Sequence, residues 1–500
     1  MQKLGALDAN FLYSETTLMP NHIASVQRFE LAEGVATDQF IASLKTYLLA
    51  RMHRVPYMYR KLKPVPGNFD HPFWVQDDQF DIDNHVVEVA VAAPGGPEQL
   101  EQAIAQLHEI RMDRDRPLWN IYVLTGLEDG SVAFYNQVHH AAVDGMGGQA
   151  ATMLLMDETP EHPPVDEPAS FPSEVESSDA MVMQRTWENL LQFQIGHAHR
   201  MMGSMESMRR MFQRAMDPAR NFGAMGERAP KTRFNRSIDQ QRSYAMGEFS
   251  LDEARKMGRQ LGCTVNDVFM AICSGALRRY LQRHDELPET GLIAGCPVSL
   301  RTAHDKGTGN RVTMMNVNLA THIPDPRLRL LSIHQSAEIA KEVTADLAPG
   351  YDPDVSLPGL PAMISFAAAS AEGARMADLA PNPVNVVISN VPGPGNTLFC
   401  NGAKMLTHYP VSIPAHGAGL NITVQSYARR LYFGVTACAT ALPDAAQLRD
   451  DMVEAYLELR QLLLPDNVAP IRPQAEAVSR VQTERKPAEN GEMRALTRVA

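Results

Sequence analysis

Hydrophobic and polar positions along this chain switch repeatedly between a two-residue and a helical period. Ala24-Ser25-Val26-Gln27-Arg28-Phe29 alternates and predicts a strand. Thr37 to Met52 has helical spacing, with Thr37 placed as an N-cap. Glu98 to Met112 predicts a second helix carrying Leu100, Ile104, Leu107 and Ile110 on one face. Ile121–Thr125 and Val132–Val138 read as strands. After a Pro-, Glu- and Ser-rich surface connection at Glu158–Glu176, Asp179–Met216 reads as one long helix or two. An Arg-rich loop covers 217–240. Beyond it come a strand at Arg242–Phe249 and helices at Leu251–Leu261 and Val265–Arg283. Further strands are read at Gly291–Pro297, Met314–Thr321, Asn385–Ser389, Asn421–Gln425 and Leu431–Ala437, the last two as neighbours. The polar tail from about 466 is expected to be disordered.

This pattern divides the chain into an N-terminal αβ domain (1–160), a linker and long helix (161–240), a C-terminal αβ domain (241–465) and a tail (466–500). Two αβ halves joined by a helical crossover predict a pseudo-dimer with a ligand-binding cleft between them.

Composition narrows the function classes. A net charge of -12 on 500 residues argues against a nucleic-acid binder. The five cysteines, Cys263, Cys273, Cys296, Cys400 and Cys438, form no CxxC pair, which fits reduced thiols and a cytoplasmic location. The N-terminus shows no signal-peptide pattern, and no apolar run reaches the roughly 18–20 residues of a spanning helix. The Met- and Arg-rich stretch 179–216 admits two readings: a helix packed on its own protein, or an interfacial helix lying on lipid.

The chemistry concentrates in Val138-His139-His140-Ala141-Ala142-Val143-Asp144-Gly145, between a predicted strand and a helix starting near Met146. Neutral imidazole can take a proton from an alcohol attacking a thioester. Adjacent histidines on an extended chain point to opposite sides, so one should reach substrate and the other serve structure. Asp144 is read as a base, as a group orienting His140, or as the holder of the loop through an ion pair with Arg301. No Gly-x-Ser-x-Gly elbow, P-loop or His-Glu-x-x-His is present. His408 and His416 lack metal-ligand spacing. Trp119 reads as core packing or as a wall of an acyl tunnel, and Pro392 and Pro394 as a rigid turn.

These residues, with others in order, resemble the bacterial wax ester synthase/diacylglycerol acyltransferases of the HHxxxDG superfamily. That superfamily includes chloramphenicol acetyltransferase and nonribosomal condensation domains. The resemblance runs from Leu4 to about Leu463 through Leu7-Asp8, Phe11-Leu12, Pro20-Asn21-His22, Phe80-Asp81-Ile82-Asp83 with His85, Pro117-Leu118-Trp119 and His139–Gly145. It continues through Asn266-Asp267-Val268, Pro297–Arg301, Gly309-Asn310, Ser389–Pro394, Leu420-Asn421-Ile422 and Ser426-Tyr427. The sequence departs from the family pattern at Asn21, at Arg429-Arg430 and at Cys438.

The resemblance implies two chloramphenicol-acetyltransferase-like domains and His140 as general base in a ternary complex, within a site that also includes His139, Asp144, Gly145 and Asn266. An amide at Asn266 could donate to an oxyanion; the alternative is that it caps a helix starting near Asp267. No cofactor is implied. The partners are acyl-CoA as co-substrate, with diacylglycerol or a long-chain alcohol as acceptor, and peripheral contact with the inner membrane face or lipid inclusions. The rival readings are a carrier-protein-dependent condensation enzyme and a non-enzymatic lipid-droplet protein.

Overall fold

The computed structural model describes residues 1–161, 178–195, 197–217, 219–299, 312–348 and 359–465. The N-terminal half runs β1 (Gln2–Lys3), α1 (Ala6–Ser14), β2 (His22–Glu30), α2 (Thr37–Arg51), β3 (Arg60–Lys63), β4 (Phe73–Gln76), β5 (Val86–Ala90), α3 (Pro97–Leu107), β6 (Trp119–Thr125), β7 (Val132–His139) and α4 (Gly145–Leu155). The crossover is α5 (Asp179–Ile195) and α6 (His197–Met216). It is therefore two helices. The remainder is β8 (Arg242–Ser250), α7 (Leu251–Leu261), α8 (Val265–Arg283), β9 (Ile293–Ser299), β10 (Val312–Asn318), α9 (Pro326–Leu347), α10 (Leu360–Gly373), α11 (Met376–Leu379), β11 (Val386–Val391), β12 (Phe399–Cys400), β13 (Ala403–Val411), β14 (Leu420–Tyr427), β15 (Arg430–Cys438) and α12 (Ala445–Leu463).

Two six-stranded sheets organise these elements, in the orders β12-β13-β2-β7-β6-β5 and β10-β9-β11-β14-β15-β8, with a small sheet β1-β4-β3 beside the first. Phe40, Leu44 and Leu48 of α2 pack onto Phe29 and Phe134 of the first sheet. The second sheet is covered by α7, α8, α9 and α12 around Phe269, Ile333, Phe433 and Met452. Burial of this kind is worth roughly 1.5–3 kcal/mol per large aliphatic or aromatic side chain. β12 and β13 come from the second half of the chain but complete the first sheet, β13 pairing antiparallel with β2. The two sheets close on each other where Tyr244 of β8 donates to the Pro410 carbonyl at 3.1 Å. Gly434 makes the approach possible, because a Cβ there would overlap that same carbonyl.

The structure bears on several sequence expectations. Ala36, not Thr37, is the N-cap of α2. α3 stops at Leu107, because the His108 ring turns inward to Tyr135 (2.7 Å) and to the Ser412 carbonyl (2.8 Å); Ile110 is left exposed. Trp119 is core: it is buried, donates to the Met58 carbonyl at 2.9 Å and stacks on His85. No helix among the described residues is long and apolar enough to cross a membrane. The tail from 466, Gly309-Asn310 and Arg301 lie outside the described residues.

Candidate active site

β7 delivers the two histidines. It is hydrogen-bonded between β2 and β6, so its end is held from both sides. His139 is the last strand residue and turns into the protein, fully buried. His140 is the first residue past the strand; its backbone N–H donates to the Asn21 carbonyl at 2.9 Å. Its partly buried ring stacks on Phe11 of α1, centroids 4.0 Å apart and planes 10° from parallel. The two rings thus meet different residues of one segment, His140 facing Phe11 within α1 and His139 facing Glu15 at its end.

The surroundings of His139 fix its tautomer. The Ala141 N–H donates to Nδ1 at 3.0 Å, so in the neutral ring Nε2 carries the proton. Nε2 faces Glu15 Oε1 at 3.5 Å. The Glu15 carboxylate is fully buried. It accepts from the Asn21 N–H (3.1 Å), from Arg114 Nε (3.0 Å) and from Arg114 Nη2, with Arg111 3.4 Å away. Burial alone would raise the Glu15 pKa. Its hydrogen bonds and the charges facing it prevail and hold the carboxyl at about 2. Burial pushes His139 below the usual histidine range, against the pull of Glu15.

His140 is pushed down to about 4, chiefly by burial, with a hydrogen bond to its own backbone opposing and His139 adding. Its imidazole is therefore neutral at pH 7, the form that can accept a proton.

Asp144 caps α4: its Oδ1 accepts from the Gly147 N–H at 2.6 Å. The cap ties the loop to the start of α4; the expected ion-pair partner Arg301 is outside the described residues. Gly145 opens α4 directly against the second sheet. A Cβ there would lie 3.0 Å from Val391 Cγ2 of β11. The following turn, Pro392-Gly393-Pro394, is tied to β14, the Gly393 N–H donating to Ser426 Oγ at 3.0 Å.

Asn266 lies on the other side of this contact, in the first turn of α8. It is not the helix cap. Thr264 is the cap, accepting from the Asp267 N–H at 3.2 Å, while Asp267 Oδ2 accepts from the Thr264 N–H at 2.8 Å. The Asn266 side chain instead meets Asn390 Nδ2 at 3.5 Å. Asn390 and Val391 are consecutive, so Asn266 is linked through β11 to the start of α4.

His139, His140, Asp144 and Gly145 thus form one unit, and Asn266 approaches it through Asn390 and Val391. His408 is buried against Gln27 (3.1 Å), and His416 faces Glu372 (3.0 Å). The residues that sequence reasoning missed are Glu15 and Arg114; a carboxylate three residues after the apolar Phe11-Leu12 pair was the available signal. All five cysteines are free thiols, and four are buried.

Residues 4–269 match the wax ester synthase/diacylglycerol acyltransferase catalytic domain and 308–460 the C-terminal domain of the same family. An O-acyltransferase from Acinetobacter baylyi is 33% identical over 469 residues, covering 91% of this chain and 96% of that protein. The structure of the wax ester synthase/diacylglycerol acyltransferase from Marinobacter aquaeolei superposes with a TM-score of 0.65 at 27% identity, covering 92% of this chain and all of that one. The first condensation domain of the CDA synthetase shares the fold, with a TM-score of 0.54 at 13% identity and coverage of 94% of this chain and 97% of that one. With the end of its His139–Gly145 turn set against Val391 of the second sheet, the chain belongs to the wax ester synthase/diacylglycerol acyltransferase family of O-acyltransferases.

Proposed function

We propose that the protein transfers a long-chain acyl group from acyl-CoA to the hydroxyl of diacylglycerol or of a long-chain alcohol, with His140 as general base. The observation that carries this reading is the neutral, partly buried His140 ring, fixed against Phe11 just past the end of β7. The imidazole takes the acceptor's hydroxyl proton as its oxygen attacks the thioester carbonyl. A tetrahedral oxyanion forms, and Asn266 donates its amide N–H to it. Collapse breaks the C–S bond, and the CoA thiolate leaves with the proton that the imidazolium returns. The thioester is already activated, so a single ternary complex suffices and no acyl-enzyme is needed.

Residues 1–160 then act as the lobe supplying the base, 241–465 as the lobe supplying Asn266, and 161–240 as their connection. Acceptors of this kind partition into lipid, and the protein works in the cytoplasm in peripheral contact with a membrane face or lipid inclusion.

The test gives purified protein labelled palmitoyl-CoA with either hexadecanol or dioleoylglycerol, beside His140→Ala. Loss of about 10²–10⁴ in rate is expected for the variant, and the better acceptor defines the product. Ester formation that survives in His140→Ala refutes the assignment of the base.

A further inference from the structure

α6 is an amphipathic helix mounted with its polar side inward. Ser207 donates to the Leu347 carbonyl at 2.9 Å. About two turns further on, the Arg214 guanidinium is buried. Its Nε donates to Asp346 Oδ2 at 2.8 Å, its Nη2 to Glu342 Oε2 at 3.2 Å and its Nη1 to the Asn221 carbonyl at 2.8 Å. These contacts hold α6 on α9. The opposite side carries Met202, Met205, Met208, Phe212 and Met216, spaced three or four apart and therefore in one stripe. Their exposures are 58%, 65%, 71%, 66% and 67%. A surface helix in a globular protein ordinarily presents the reverse arrangement. Apolar side chains aligned this way on the outside mark an interaction surface.

The charge around the stripe indicates what covers it. Apart from the inward-turned Arg214, α6 carries Arg200, Arg209 and Arg210 against Glu206 alone, in a chain whose net charge is -12. Arg209 flanks the stripe, 55% exposed and paired only within its own helix, to Glu206 at 2.6 Å. A methionine- and phenylalanine-faced helix embedded in a basic segment has the composition of an element that lies in the plane of an anionic lipid surface.

We infer that the Met202–Met216 stripe of α6 is the face by which this protein docks on an anionic lipid surface, the apolar side chains entering the acyl layer and the basic segment meeting the headgroups. The inference rests on the proposed lipid-soluble acceptor, since docking brings the cleft to the phase in which that acceptor resides.

The experiment is co-flotation of the full-length protein with phosphatidylcholine vesicles, with and without phosphatidylglycerol, for wild type, Met208→Gln/Phe212→Gln and His140→Ala. Wild type should float with the phosphatidylglycerol vesicles, and less so as salt is raised. The double variant replaces two exposed side chains, so its melting temperature should be unchanged while its vesicle binding falls at least about tenfold. His140→Ala should float like wild type. A His140→Ala protein that floats and still makes ester sinks the catalytic assignment and leaves the docking face intact. Undiminished flotation of the double variant, or absence of wild-type flotation, overturns the docking face. So does a concentration-dependent dimer that the double variant abolishes, which would make the stripe an interface between copies of this chain.

Discussion

Replacing Glu15 by glutamine tests whether the buried carboxylate holds the histidine turn in place. The carboxylate accepts on two sides at once, from Arg114 and the Asn21 N–H, and faces the Nε2–H of His139. Glutamine has nearly the same shape but one oxygen and one NH₂ group. With its oxygen toward Arg114, its NH₂ confronts the His139 N–H; with its oxygen toward His139, the NH₂ confronts the guanidinium. In either orientation one buried donor goes unsatisfied, at about 1–3 kcal/mol, and the charge-assisted bonds weaken as well. His139 then loses the contact opposite its Ala141 bond. Because His140 follows it directly, the base moves with it. A misplacement costing about 1.4 kcal/mol in the transition state lowers kcat tenfold. The expected result is a melting temperature lowered by a few degrees and a kcat reduced about tenfold or more, with KM for acyl-CoA little changed. Thermal melts and steady-state kinetics on the same preparation read both quantities. Wild-type melting together with wild-type kcat would refute the claim that Glu15 positions this turn.

Three other perturbations have expected outcomes. Stability should fall as pH drops from 7.5 to 5.5. His108 and His408 are buried neutral, with pKa values pushed down to about 3 by burial, against 6.5 when unfolded, so below 6.5 the unfolded chain binds protons that the native one refuses. Each contributes about 1.4 kcal/mol of loss at pH 5.5, and an unchanged urea midpoint would show those rings to be charged in the fold. Glu15 adds to this only at lower pH: its depressed pKa of about 2 stabilises the fold above 4.5, and that contribution is lost as pH falls toward 2. Gly393→Ala puts a methyl into the Ser426 carbonyl, with Gln149 Oε1 at 3.2 Å, and should cost about 1–3 kcal/mol and lower kcat by displacing the turn that meets α4; wild-type stability would mean the turn yields freely. Thr264→Ala removes the cap of α8 and should cost about 1 kcal/mol in chemical denaturation, with a loss of activity through the neighbouring Asn266; unaltered stability would argue that Asp267 holds the helix end alone.

What could be read in the sequence was local. The His139–Gly145 turn was legible because strand, base, cap and opening glycine lie within one continuous stretch, and residue type there follows directly from role. The strand at 24–29 was legible because it alternates, and those at 121–125, 132–138 and 431–437 because each is one short, largely apolar run. β13 was not, since Pro410 and the irregular register between Met405 and Thr407 break the alternation. Its place in the first sheet depends on a pairing with β2, which no local pattern encodes. α9 went unread although Asp325-Pro326 is a sound start signal, Asp325 accepting from the Leu328 N–H at 2.8 Å. Asn266 looked like a cap because Asn favours that position; the reciprocal Thr264–Asp267 bonds decide otherwise, and they belong to a pattern that begins two residues earlier. Glu15 shows the limit most plainly. Its function depends on which histidine proton it faces, and that follows only once α1, β7 and the Arg114 loop are folded together. Residues that perform a step could be found from spacing, whereas residues that hold them, contributed by distant segments, required the three-dimensional arrangement. The α6 stripe is a third case. The sequence left two readings open, a helix packed inward and one lying on lipid, because periodicity gives an apolar face but not its direction. Arg214, buried between Asp346 and Glu342, turns the polar face in and leaves the apolar stripe outward.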